Sequence, residues 1–229
     1  MRWVYGIGGG FLLMVVSLVL ITRWYPHQVQ HYSDLPWQIE VIGEDRTRVL
    51  GLTLGETTLA SLAGRLPVPD IRLFVDPDGE RSVEAYYSNA RIPPFEANLV
   101  LIPQLDATEL EELWEQRTSE RPMPSGARRY GLRDAALIRL GGMPVAELSY
   151  IPRARWDEEQ VLARFGPPES RLQLDNAQVY WLYPEQGLVI TVPARRGRML
   201  MHYVTLDRWD QVLDRLERAR LREAADTAD

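Results

Sequence analysis

The longest hydrophobic stretch of the chain is Trp3–Thr22, which carries no charged residue. A helix of twenty residues spans about 30 Å, the thickness of the hydrocarbon core of a bilayer. Aromatic residues flank this stretch, and the residues before Pro26 lack the small-residue pattern of a cleavage site, which favours an uncleaved anchor over a signal peptide. We therefore expect a transmembrane helix within residues 1–25, a cytoplasmic N-terminus, and a body in the periplasm.

Beyond a polar tether at residues 26–36, short apolar segments alternate with turn residues. Period-two alternation predicts two hairpins, one turning at Gly79 and the other at Gly187. Further strands are expected in the following segments: residues 97–105, 134–140, 143–152 and 198–206.

Three capping-box spacings predict the starts of helices, at Thr53–Glu56, Asp106–Glu109 and Asp157–Gln160. Gly166, followed by two prolines, should end the third helix. A charged helix is expected from Asp207 almost to the end of the chain. Its apolar stripe comprises Leu206, Trp209, Val212, Leu213 and Leu216.

The order helix, proline stop, strand, glycine turn, strand occurs in both halves of the chain. We read this order as an internal duplication, with repeats at residues 37–125 and 126–229. The expected fold class is therefore α+β: an N-terminal transmembrane helix followed by two small repeats of helices packed on antiparallel sheet.

One segment carries a family resemblance. Asp157–Pro168 resembles the signature of the SmpA/OmlA-type small envelope lipoproteins, which include the small lipoprotein subunit of the barrel-assembly machine, and the similarity extends over residues 155–192. The matching positions are Asp157, Val161, Phe165, Gly166 and Pro168. The resemblance implies helices on a small antiparallel sheet, and tandem versions are similar to the β-lactamase-inhibitor-protein fold. This chain lacks the lipid-acceptor cysteine, so an inner-membrane placement replaces the outer-membrane one.

Composition and motifs limit the chemistry. A formal net charge of −6 argues against a nucleic-acid partner, and the absence of cysteine excludes disulfides and thiol catalysis. His27 and His31 have the spacing of two metal ligands on a helix, but they fall in the polar tether, so we expect neither metal nor cofactor. No nucleophile motif is present and His202 lies in an apolar strand, so we assign no catalytic residues and expect a non-enzyme.

Large aromatic residues indicate where a partner could bind. Tyr180, Trp181 and Tyr183 lie in one predicted strand, so their rings must emerge on both faces of the sheet. Unless another element covers one of those faces, these rings and Trp209 form a candidate partner-binding surface. The Gly6–Gly10 spacing allows a homodimer through the anchor.

The sequence therefore predicts a membrane-anchored periplasmic binding or scaffold protein of the bacterial envelope that recognises another protein. Two alternatives remain. One is an envelope enzyme or small-ligand-binding domain that uses acidic residues with His202. The other, from the resemblance alone, is an inhibitor of a periplasmic hydrolase.

Overall fold

The structure is a computed structural model that describes residues 32–43, 45–173, 178–193 and 197–226, with side chains described as far as residue 221. The chain divides into two compact units, Met1–Tyr32 and Ser33–Asp229, and the account below concerns the second.

Several sequence predictions fall outside the described residues. They are the transmembrane helix Trp3–Thr22 with its segment 1–25, the glycine pair Gly6 and Gly10, and the histidines His27 and His31. Across the described ranges, no helix is both long enough and apolar enough to cross a membrane. The tether is described only from residue 32, and its last residue, Pro36, accepts a 2.8 Å hydrogen bond from the Tyr203 hydroxyl.

Thirteen strands form two antiparallel sheets in the described part of the chain. The small sheet contains β1 (Glu40–Ile42), β2 (Arg46–Val49) and β3 (Leu52–Thr53). The strands of the large sheet are β4 (Asp70–Val75), β5 (Arg81–Ile92), β6 (Phe95–Pro103), β7 (Arg117–Pro122), β8 (Arg128–Leu132), β9 (Val145–Pro152), β10 (Ser170–Gln173), β11 (Gln178–Tyr183), β12 (Leu188–Pro193) and β13 (Leu200–Val204). Their spatial order is β10-β11-β12-β13-β9-β6-β5-β4-β8-β7.

The helices are short except for the last one. They are α1 (Ala107–Glu115), α2 (Asp134–Gly141), α3 (Glu158–Phe165) and α4 (Trp209–Asp226), with 3-10 turns at Ala60–Leu62, Pro184–Gln186 and Leu206–Arg208. Two of the predicted capping boxes are confirmed, since Asp106 exchanges hydrogen bonds with Glu109, and Asp157 does the same with Gln160. Both predicted hairpins are also confirmed.

The predicted fold class, α+β with two small repeats, is wrong. The described part of the chain is mostly β, and its strands join into one ten-stranded antiparallel sheet. The strands between residues 70 and 132 occupy one half of that sheet, and those between 145 and 204 occupy the other. The halves meet where β6 pairs with β9, and their strands connect in different orders. Hairpin signals specify only pairing between strands that are close in sequence, so they could not reveal this long-range pairing.

Two local predictions are also wrong, each for a physical reason. No α-helix follows Thr53, because Gly55 takes a φ of +82°, which is incompatible with the first turn of a helix. The segment at residues 134–140 is a helix rather than a strand, since Ala136 and Leu140 are buried four residues apart while Ile138 is 79% exposed.

The boundary predicted between residues 125 and 126 falls in the turn between β7 and β8.

The two faces of the large sheet are covered differently. On the first face, α3 and the small sheet cover one hydrophobic cluster, which includes Leu99, Leu148 and Trp181, and α1 and α2 cover a second, which includes Leu73. On the second face, α4 packs Val212 against Leu182, Val189 and Val204. The apolar stripe of the last helix therefore packs against the sheet of its own domain.

We predict that Asp157→Ala lowers the free energy of unfolding by about 1 kcal/mol, because the aspartate satisfies a free amide at the start of α3. Glu159→Ala, an exposed change in the same helix, is the control and should change it by less than about 0.5 kcal/mol. Urea denaturation measures both, and equal effects would contradict the assignment of the cap.

Candidate functional site

A buried carboxylate lies near the centre of the second face. Glu147 and Ser149 are two residues apart on β9, so both side chains point to this face. His202 on β13 is paired directly with Ser149. Its Nδ1 shares a 2.9 Å hydrogen bond with Ser149 Oγ, and its Nε2 lies 3.1 Å from Glu147 Oε2.

The 3-10 turn before α4 and the second turn of α4 each supply one arginine to the same carboxylate. Arg208 Nη1 lies 3.5 Å from Glu147 Oε1, and Arg215 Nη2 donates a 2.9 Å hydrogen bond to Oε2. The two arginines are seven residues apart, about two helical turns, so they lie on one side of the helix. We call Glu147, His202, Arg208 and Arg215 the helix clamp.

The clamp keeps Glu147 ionised although its side chain is only 3% exposed. Burial alone would raise the pKa of Glu147, but the hydrogen bond and charge of His202, together with Arg215, lower it to about 2. A buried carboxylate is tolerated only when its charge and its lone pairs are matched in this way. The clamp therefore fastens α4 to the sheet.

Serine, histidine and glutamate in contact have the composition of a hydrolytic triad, but the surroundings do not fit one. Ser149 lies in the middle of β9, which pairs with β6 on one side and β13 on the other. The nearby backbone amides are therefore used in the sheet and cannot form an oxyanion hole. The contacts of His202 with Ser149 and Glu147 are those of a triad, but Glu147 is also bound by Arg208 and Arg215, which fix its charge in place. The contacts of Glu147 with Arg208 and Arg215 connect these residues to α4.

Two cavities lie beside the clamp. A cavity of about 330 Å³ extends beneath α4 at the ends of β5 and β6, and we call it the arginine cavity. Its lining includes Arg208, Arg215, Arg218, Ile102, Pro103 and Leu110. A second cavity of about 200 Å³, between α4 and the strands β11 to β13, is lined mostly by apolar side chains and by His202.

The second face continues beyond α4 onto strands β4, β5 and β6. We call this part the open face, and its residues are Arg72, Phe74, Glu84, Tyr86 and Val100. Tyr86 is 39% exposed and the others are half-buried. None of the hydrophobic clusters among the described residues contains Phe74, Tyr86 or Val100. Burial raises the pKa of Glu84, so this acid lies in a poorly hydrated part of the face.

The four aromatic residues predicted to bind a partner do not form one surface. Trp181 is 1% exposed and Tyr183 is also buried, and both pack in the first-face core with Val161 of α3. Tyr180 is half-buried on the second face against the apolar side of α4, and Trp209 is half-buried on that side of α4 itself. The structure favours the alternative reading of these rings, in which other elements of the chain cover them.

The residues of the helix clamp, apart from His202, were not identified from sequence. Glu147 lies in a strand whose neighbours Ala146, Leu148 and Tyr150 are all apolar, and this could have marked it as buried. Its partners lie 55 to 68 residues later in the chain, and no local pattern connects them. Among the described residues there is no group of three or more candidate ligands that could hold a metal ion.

Comparison with known proteins finds no matching family model, no matching curated protein and no matching solved structure. The resemblance of Asp157–Pro168 to the SmpA/OmlA-type lipoproteins therefore stays a prediction.

We predict that Glu147→Gln lowers the free energy of unfolding by about 3 kcal/mol, because it leaves the half-buried Arg208 and the more exposed Arg215 without their counter-charge. The matched control is Glu96→Gln, which removes an exposed partner of Arg153 and should cost less than about 1 kcal/mol. Urea denaturation at neutral pH compares the two variants.

The pH dependence of the stability of Glu147→Gln, compared with the wild type, tests the depressed pKa of Glu147. A glutamate whose pKa falls from about 4.3 in the unfolded chain to about 2 in the folded protein stabilises the fold above the higher value. That stability is lost as the pH falls through about 2. The stability difference between the wild type and Glu147→Gln should therefore narrow between pH 4.5 and pH 2. A constant difference over this range would contradict the ionised clamp.

Proposed function

We propose that this protein is a membrane-anchored, non-catalytic binding protein of the bacterial cell envelope, which recognises another protein through the open face. The uncharged apolar run at residues 3–22 supports the membrane anchor and the export of the body. The observation that carries the proposal is the open face itself, a partly exposed sheet surface next to a helix that is firmly fastened.

The chemistry of the open face suits a protein partner. Tyr86, Phe74 and Val100 supply aromatic and aliphatic area, and Arg72 adds a guanidinium that can form hydrogen bonds. Aromatic residues and arginine are enriched at protein interfaces and carry much of the binding energy there. Because these side chains stand on paired strands, their positions are fixed before binding, which reduces the entropy cost of association.

The alternatives have weaker support. His202 does lie beside an acidic residue, as the enzyme alternative requires, but Arg208 and Arg215 also bind this acid and tie it to the helix. The inhibitor alternative depends on the family resemblance, which no comparison supports.

Crosslinking followed by purification from native membranes tests the proposal. We expect one envelope protein to copurify in stoichiometric amount, and Tyr86→Ala to weaken that complex about 30-fold, the effect of losing a contact worth about 2 kcal/mol. Ile138→Ala removes a more exposed side chain on α2, away from the open face, and should leave the complex unchanged. Absence of any such partner, or equal loss in both variants, would contradict the proposal.

A reporter fusion tests the location separately. Alkaline phosphatase fused after Asp229 should be active, since it folds only when exported. Activity solely from a reporter that requires the cytosol would contradict a periplasmic body, whatever the result of the crosslinking experiment.

A further inference from the structure

The arginine cavity contains a cation whose hydrogen-bonding capacity is mostly unused. The Arg208 side chain is only 20% exposed, and a guanidinium carries five N–H donors. Within the described part of the chain, Arg208 donates one hydrogen bond, from Nη1 to Glu147 Oε1. Its length of 3.5 Å is at the limit of a useful interaction. Arg208 lines a cavity of about 330 Å³.

The other charges around the cavity are more fully matched. Arg81 Nη1 donates a 2.5 Å hydrogen bond to Glu111 Oε2, Arg218 lies 3.3 Å from Glu80, and Arg215 bonds to Glu147 at 2.9 Å. Glu147 is already satisfied by the helix clamp and offers little to a cation. Asp214 also borders the cavity, but it is exposed, so water screens its charge.

Part of the cavity lining is apolar. Ile102 and Pro103 come from the end of β6, and Leu105 and Leu110 come from the start of the α1 region. A ligand in this cavity can therefore contact both Arg208 and hydrocarbon. The cavity volume lies at the lower end of the range for small-molecule sites, about 300 to 1,000 Å³.

We infer that the arginine cavity binds a compact organic anion, a carboxylate or a phosphate monoester, with its charged group on Arg208 and its apolar end against Ile102 and Leu110. A planar guanidinium matches either group with two parallel hydrogen bonds. This site shares no lining residue with the open face, so the inference does not depend on the proposed function.

Calorimetric titration of the purified full chain tests the inference with four probes: benzoate, phenyl phosphate, inorganic phosphate and benzylamine. Benzoate or phenyl phosphate should bind, and their comparison identifies the preferred charged group. Benzylamine, a cation of similar size, should not bind. Inorganic phosphate should bind at least tenfold more weakly than phenyl phosphate, because it has no apolar end. Failure of both organic anions, or binding of benzylamine as tight as theirs, would overturn the inference.

Four variants locate the binding. Arg208→Gln should weaken it at least tenfold. Since this change could also loosen α4, Gln211→Glu provides a second approach: it adds a negative charge to the cavity lining without touching the clamp, and should also weaken binding. Asp214→Asn should tighten anion binding, because it removes a negative charge from the lining. The control is Arg91→Gln, which should not change the affinity, because the Arg91 side chain is 86% exposed and lies outside the cavity. Equal affinity in all four variants would place binding elsewhere and overturn the inference.

Discussion

The burial of one carboxylate, Glu147, determines how the second face of the sheet is used. Moving this charge out of water is costly, and the cost is offset only because His202, Arg208 and Arg215 converge on it. Two of those partners belong to the start of α4 and the turn before it. The helix must therefore lie where its arginines reach β9, and this placement decides which strands it covers.

That placement leaves the molecule asymmetric. Three helices and the small sheet close the first face, whereas α4 covers the second face mainly over β11, β12 and β13. The open face lies on strands that the helix leaves uncovered, and the arginine cavity lies beneath the helix at the ends of β5 and β6. Both features thus follow from the position of one helix.

The local parts of this fold could be predicted from the sequence. The capping boxes at Asp106 and Asp157 and the hairpin turns at Gly79 and Gly187 depend on residues within a few positions of one another. The box at Thr53 was misleading because Gly55 allows a tight turn that no spacing rule detects. Short apolar segments such as residues 134–140 fit a strand and a helix about equally well.

The non-local parts could not be predicted in this way. The pairing of β6 with β9 turns two expected repeats into one sheet, and this pairing depends on the packing of the whole core. The aromatic run at Tyr180–Tyr183 indicated that rings emerge on both faces, but not that Trp181 would be fully covered. The clamp joins residues from β9, β13 and α4, so only the folded chain brings them together.

Hydrogen–deuterium exchange on the wild type and Glu147→Gln tests most directly whether this carboxylate holds the helix in place. The account predicts faster exchange in residues 206–221 of the variant, with β5 and β6 unchanged, because only the helix loses its attachment. Unchanged protection of α4, or an equal increase across the whole sheet, would contradict it.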